Sequence, residues 1–471
     1  MSGAITAVRT NAREHRASIL VSALSSAFGV SLLSATGVLA TYIAQDRVGE
    51  HGSVKLALSI VAGVFFVIAV YVGAIVTTNT FATIVAGRTR TIALLRLIGS
   101  SSRAQRRAVA GEGFVVGVVG AVAGAIIGIT LTIVAVRAFV AVGTLPDLAY
   151  PLLEPVNLVP VVVVVLTTWL ASWVGSRRVL SVTPIQAIGA AQEPTRDELR
   201  RKPVRNALAF GMVGFGAVLL AGGIVIGLVS PLGVLVGLVG GILSFTGIVL
   251  AAHLFMPSVL RGVGRLFGRS APARLAAANA VRNPERSTRT TIGLVIGVTL
   301  ITMFVVAASS YQRMILIAQQ SNPELFQGVD SVIAVTTVVF SVLIGFSAVI
   351  AAIGVVNNLS LSVLQRTREL GLLRALGFSA RQVRALILSE SAQLTIAAVL
   401  AGLVLGVIYG WAGAQSLLGS LPGGAGFVLP VVPWQLLAIA AVVAAGLAIV
   451  ASVAPTRRAT GVSPVAALAI D

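Results

Sequence analysis

Apolar runs long enough to cross a bilayer follow one another along this chain, separated by short polar segments. A helix needs about 20 apolar residues to span ~30 Å of hydrocarbon. Stretches of that kind occur at 17–44, 54–86, 108–142, 156–175, 206–229, 231–256, 288–311, 331–362, 385–418 and 433–454. They are continuous rather than alternating, so they read as helices and not as the strands of a barrel. The longest are expected to tilt or to project beyond the bilayer as helix. The first run is read as a span rather than a cleaved leader, because it is long, follows an Arg-bearing segment and has an internal counterpart at 288–311. The expected fold class is an all-α polytopic membrane protein with about ten transmembrane helices and no large extracellular domain, the loops on that side being short.

The pattern repeats. Residues 88–99 read RTRTIALLRLIG and residues 366–377 read RTRELGLLRALG. The same spacing carries Asn79 to Asn357, Arg103 to Arg381, Arg106 to Arg384, Glu112 to Glu390, Gly124 to Gly402 and Gly128 to Gly406. Internal self-similarity of this kind marks a duplicated unit. Each copy holds four spans, so both enter and leave on one side and are parallel repeats. The expected organisation is a first repeat over 1–189, a polar linker with two Gly-rich spans over 190–272, and a second repeat over 273–471. Two copies in one chain make a pseudo-dimer. Each copy opens on an Arg-bearing amphipathic segment, 4–16 and 273–289, expected to lie at the membrane surface.

Composition agrees with the membrane reading: 57% of residues are hydrophobic and 10% charged, against about 25% charged in soluble chains. The net charge of +19 is a topology signal rather than a nucleic-acid footprint, because the basic groups are not interleaved with aromatics. With the N-terminus inside, all but Arg47, Lys55, Arg137 and Arg313 of the 34 basic residues fall on the cytoplasmic side, which orients the chain with both termini cytoplasmic. The chain has no cysteine and three scattered histidines, so neither thiolate chemistry nor a helical metal site is expected. A P-loop requires GxxxxGK[ST], and neither of the two lysines, Lys55 and Lys202, follows a glycine. The Arg-over-Lys bias and the Ala, Val and Gly content suggest a GC-rich bacterial source.

The duplicated segment between the second and third spans is the strongest functional candidate. Its spacing predicts a short amphipathic helix in each copy, closed by Gly99 and Gly377. Arg88, Arg90, Leu94, Leu95 and Arg96 mark the first copy. Arg366, Arg368, Glu369, Leu372, Leu373 and Arg374 mark the second. A loop carrying only the positive-inside signal explains the charge but not a matched Leu-Leu-Arg-x-x-Gly pattern. Glu112 and Glu390, near the start of the third spans, are read as structural: an acid in a helix's first turn favours the dipole, and arginines lie nearby. Asn79 and Asn357 suit a hinge or an interhelical bond. The Gly120/Gly124/Gly128 and Gly402/Gly406/Gly410 runs predict close helix packing, as do Gly233, Gly237 and Gly241 in the connector. Trp169, Trp173 and Trp434 are expected as interface anchors.

The segment RTRELGLLRALGFSARQVRALILSES resembles the signature of FtsX-like permeases, the membrane subunits of MacB-type, or type VII, ABC systems. The terminal arginine pair followed by SPVAAL or TPIQAI agrees with it. The resemblance covers both repeats. It implies that 88–99 and 366–377 are coupling helices docking on a separate ATPase, two copies of which would bind ATP and magnesium. This chain would bind no cofactor of its own and would be no enzyme. The first copy departs from the pattern at Thr91 and Ala93, so the two docking sites are expected to be unequal. The function implied is an exporter permease for a hydrophobic or amphipathic substrate, such as a lipid, peptide or drug. The alternative is a non-transporting FtsX-type transmitter acting on a membrane partner. An ion-coupled carrier ranks last, because the spans lack acidic residues away from their ends.

Overall fold

The computed structural model describes residues 12–43, 52–142, 146–150, 153–177, 203–265, 284–323 and 376–421, most of 423–442, and single positions at 278, 446 and within 337–374. Among these, the regular elements are helices. They are α1 (Ala12–Ile43), α2 (Gly52–Gly87), α3 (Thr89–Leu97), α4 (Ser102–Ala141), α5 (Leu158–Gly175), α6 (Pro203–Gly227), α7 (Gly233–Gly264), α8 (Pro284–Ser321) and α9 (Ala380–Leu418). All but α3 are long and apolar enough to cross a membrane, giving eight candidate spans among the described residues. The chain is an all-α polytopic membrane protein. The spans expected at 331–362 and 433–454 lie largely outside the described residues, as do residues 4–11 and most of 273–283 of the surface segments.

Two elements extend beyond their apolar cores. The third span of the first repeat starts at Ser102 rather than 108, because Ser101 caps it: the Ser101 hydroxyl accepts from the Ala104 N–H at 3.1 Å, satisfying one of the donors that a helix start leaves open. α8 continues to Ser321, so the first ten residues of the expected outer loop 312–330 are helix. Met314, Ile315 and Ala318 bury one face of this extension.

The chain divides into two compact units, Met1–Ala191 and Gln192–Asp471. In the first, α1 packs on α2, α4 and α5, and α5 also packs on α2 and α4. Lipid offers no hydrophobic drive for helix association, so close contact and polar bonds must hold such a bundle. Gly120, Gly124 and Gly128 of α4 lie on the backbone of residues 19–27 in α1. Hydroxyls cross the same seam: Ser26 Oγ donates to the Ala121 carbonyl at 2.8 Å and Ser31 Oγ to the Gly128 carbonyl at 3.1 Å. Ser22 Oγ and Thr168 Oγ1, 3.0 Å apart, tie α1 to α5. Such bonds average about 0.6 kcal/mol each in a membrane protein, so the glycine contact dominates.

In the second unit α6 and α7 form a hairpin about Ser230-Pro231. Gly216 and Gly223 of α6 meet Gly233, Gly237 and Gly240 of α7 backbone to backbone. Gly241, expected in this seam, turns away and makes only ordinary contact with Tyr409. The hairpin is joined to α9 by Gly227 against Ser416, by a 2.9 Å bond between Ser244 Oγ and Tyr409 Oη, and by the edge-on pair Phe245–Tyr409. Met256, Leu260, Leu294, Val298, Leu394 and Ala398 then form one apolar core across α7, α8 and α9. Gly402, Gly406 and Gly410 of α9 lie on Val298, Thr302 and Met303 of α8, the counterpart of the α4–α1 seam.

Candidate functional site

α3 occupies the position of the expected amphipathic helix, and its ends are set by local chemistry. α2 ends at Gly87 and α3 starts at Thr89, so Arg88 alone is the joint between them. At the far end Gly99 takes φ +100°, a conformation that side-chain-bearing residues rarely adopt. Its N–H donates to the Arg96 carbonyl at 3.1 Å, and the Ser100 N–H donates to the Leu95 carbonyl at 2.9 Å. These two bonds make a Schellman closure, which satisfies carbonyls that the helix end leaves open.

The second copy repeats the left-handed glycine and the first of these bonds. Gly377 also has φ +100°, and its N–H donates to the Arg374 carbonyl at 3.1 Å. Ser379 then caps α9 through a full capping box with Gln382, at the position equivalent to Ser101. The capping serines were not singled out from the sequence. The signal for Ser379 was there, since Ser-x-x-Gln two residues after a helix-stopping glycine is a helix-start pattern.

The inner face of α3 is Ile92 and Ala93, which pack with Phe81 and Val85 of α2 and Val109 of α4. The outer face is apolar too: Leu94 is 49% and Ile98 82% exposed. Their equivalents Leu372 and Leu376 are 51% and 71% exposed. The positions are four apart, so each pair lies on one side of its turn. Leu97, also exposed, widens the patch in the first copy, where the second has Ala375. Leu95 and Arg96 are half-buried, as is Arg374, and Arg90 belongs to α3's first turn. Arg366, Arg368, Glu369, Leu373 and Asn357 lie outside the described residues, and Asn79 is half-buried in α2.

Arg88 does not face the same way. Its Nη1 donates to both carboxylate oxygens of Glu112, at 3.3 and 3.1 Å. Glu112 is only 8% exposed. The dipole explanation for Glu112 is corrected by this geometry. α4 starts at Ser102, so Glu112 lies three turns inside the helix, beyond the reach of its N-terminal charge. Its charge is met by Arg88 instead. Glu390 stands at the same depth in α9 and is equally buried. Beside the pair, Gly113 lets Ser172 of α5 approach α4. Further along, Arg106 stacks on the Trp173 ring at 3.7 Å and donates to the Trp173 carbonyl through Nε and Nη2 at 3.4 and 3.1 Å. Trp173 therefore anchors a cation as well as being half exposed.

Among the described residues no group of three or more His, Asp or Glu side chains converges as metal ligands would. In the first copy the site is a short helix, apolar outward, flanked by arginine and tied inward; in the second, Leu372 and Leu376 are likewise exposed ahead of a left-handed Gly377.

Comparison with known proteins agrees with this duplication. A family model, the FtsX-like permease C-terminal domain, matches residues 63–184 and again 341–464. The chain is 33% identical over 129 residues to the ABC transporter permease YtrF of Bacillus subtilis, an alignment covering 26% of this chain and 30% of that protein. It is 28% identical over 145 residues to the uncharacterised ABC transporter permease YknZ of the same organism, covering 31% and 34% respectively. The chain thus spans about a third of the length of these relatives. The two matches to one family model fall one in each repeat and take in more than half of the residues, and on that ground the chain belongs to the FtsX-like permease family.

Proposed function

We propose that this chain is the permease subunit of an ABC transporter, and that α3 and its second-repeat counterpart seat on separate ATP-binding subunits. The observation carrying this reading is the matched outward face: Leu94 with Ile98, and Leu372 with Leu376. Single exposed leucines are ordinary on any surface. A leucine and a second branched apolar residue four positions on, beside the same arginine and ahead of the same left-handed glycine, in both copies, are what a pair of equivalent partners would require. The count of basic residues puts these helices on the cytoplasmic side, where a nucleotide-binding partner works. Two helices in one chain call for two ATP-binding subunits. ATP and magnesium belong to them and not to this chain.

The finer reading is export of a hydrophobic or amphipathic substrate. The loops on the outer side are short, which suits a substrate entering from the bilayer. Net flux of a labelled lipid or amphipathic peptide in proteoliposomes separates transport from pure transmission of motion to a membrane partner.

The docking reading is tested by co-purifying the chain with its candidate ATP-binding subunit, comparing wild type with the Arg96→Glu, Arg374→Glu double variant. The wild type is expected to retain the subunit and the variant to lose it at equal yield of monodisperse permease. Failure of the wild type to retain any ATP-binding subunit would remove the basis of the reading.

A further inference from the structure

We infer that Arg88 and Glu112 form a latch that makes α3 a lever on the third span, α4. The inference rests on the reading of α3 as the docking helix. The geometry attaches α3 to α4 at both ends. At the far end, Gly99, Ser100 and Ser101 run from the Schellman closure directly into the α4 cap. At the near end, the joint residue Arg88 reaches across to Glu112.

The lengths agree. Nine residues of α3 span roughly 13 Å, and the ten steps from Ser102 to Glu112 span about 15 Å of α4. α3 therefore lies along the first three turns of α4, strapped at both ends, with Ile92 and Ala93 against Val109 between the straps. A push on the outer face of α3 cannot pivot it about Gly99 without breaking the pair. The push moves α4 instead, and the seam at Gly124 and Gly128 hands it on to α1. A carboxylate three turns inside an apolar helix is costly unless paired, and the second copy keeps both residue types at the same spacing, with Glu390 buried to the same degree as Glu112.

Arg88 and Glu112 are thus positioning residues. The test is hydrogen exchange of the α3 amides in the purified full-length chain, which needs no partner. Glu112→Gln is expected to speed exchange across 92–99 about tenfold, the size expected for loss of a charged hydrogen bond. Exchange in α6 and α7 is expected to stay at the wild-type rate, which separates a released latch from general destabilisation. Arg88→Gln is expected to speed exchange over the same residues, and the double variant to fall short of the sum of the two, because both remove their shared interaction. Arg88→Lys is expected to recover part of the protection, since a single nitrogen makes the observed contact. Unchanged exchange in both single variants, or additive effects in the double, would overturn the latch. A wild-type chain that binds no ATP-binding subunit would strike the docking reading alone and leave the exchange result standing.

Discussion

A valine at position 124 is expected to separate α1 from α4 and to destabilise the first unit by about 3 kcal/mol or more, at the upper end of what overpacking costs. A Cβ at Gly124 would stand on the carbonyl oxygen of Ala23 and 2.9 Å from its Cα. These are backbone atoms of a helix, so no rotamer change relieves the clash and the helices must move apart. The separation would also stretch the bonds from Ser26 to the Ala121 carbonyl and from Ser31 to the Gly128 carbonyl. Gly211, Gly214 and Gly222 supply the control. A Cβ there meets nothing within 4 Å, and glycine in a helix interior costs roughly 1 kcal/mol relative to alanine. Gly211→Ala is therefore expected to hold or raise the melting temperature in detergent, while Gly124→Val loses the monodisperse peak in size-exclusion chromatography.

The second large effect is expected at the docking face. The double variant Leu94→Glu, Leu372→Glu should release the ATP-binding subunits without harming the fold. Both leucines are about half exposed, 49% and 51%, and the apolar cluster beneath α3 is built from Ile92 and Ala93 instead. Losing an anchoring side chain costs an interface about 2 kcal/mol or more. For the subunit seated on each helix, that is a weakening of about thirtyfold. The measurement is partner affinity in nanodiscs by biolayer interferometry. Ile92→Ala, which cuts into the cluster, is expected to lower permease stability as well and so to be distinguishable.

Much of this architecture was legible in the chain. The spacing between Arg88 and Arg366 exposed the duplication, and the leucine periodicity ahead of Gly99 and Gly377 marked the short helix α3 and the glycine that closes each copy. The glycine runs at Gly120/Gly124/Gly128 and Gly402/Gly406/Gly410 do make the predicted close contacts. What stayed hidden depends on direction. Ile92, Ala93, Leu94 and Leu95 are all apolar, so periodicity alone could not say that the first two face inward and Leu94 outward. Arg88 and Glu112 are 24 residues apart on different helices, and no local pattern announces their pairing. The start of α4 was placed at the first apolar residue. The helix begins six residues earlier at a serine cap, and that shift put Glu112 into the wrong turn. In the connector, a GxxxG reading grouped Gly241 with Gly233 and Gly237, but the α6 seam follows Gly233, Gly237 and Gly240, and Gly241 falls off it.

The central claim is that two equivalent helices of this chain meet ATP-binding partners, and site-specific cross-linking tests it most directly. The chain has no native cysteine, so single cysteines can be placed at Ile98 or Leu376 and, as a control, at Phe215 on the exposed side of α6. Membranes containing the candidate ATP-binding subunit would be treated with a maleimide photo-cross-linker attached at each site. The account predicts an adduct of permease and ATP-binding subunit from both Ile98 and Leu376 and none from Phe215. No adduct from either helix, or equal yields from all three sites, would contradict it.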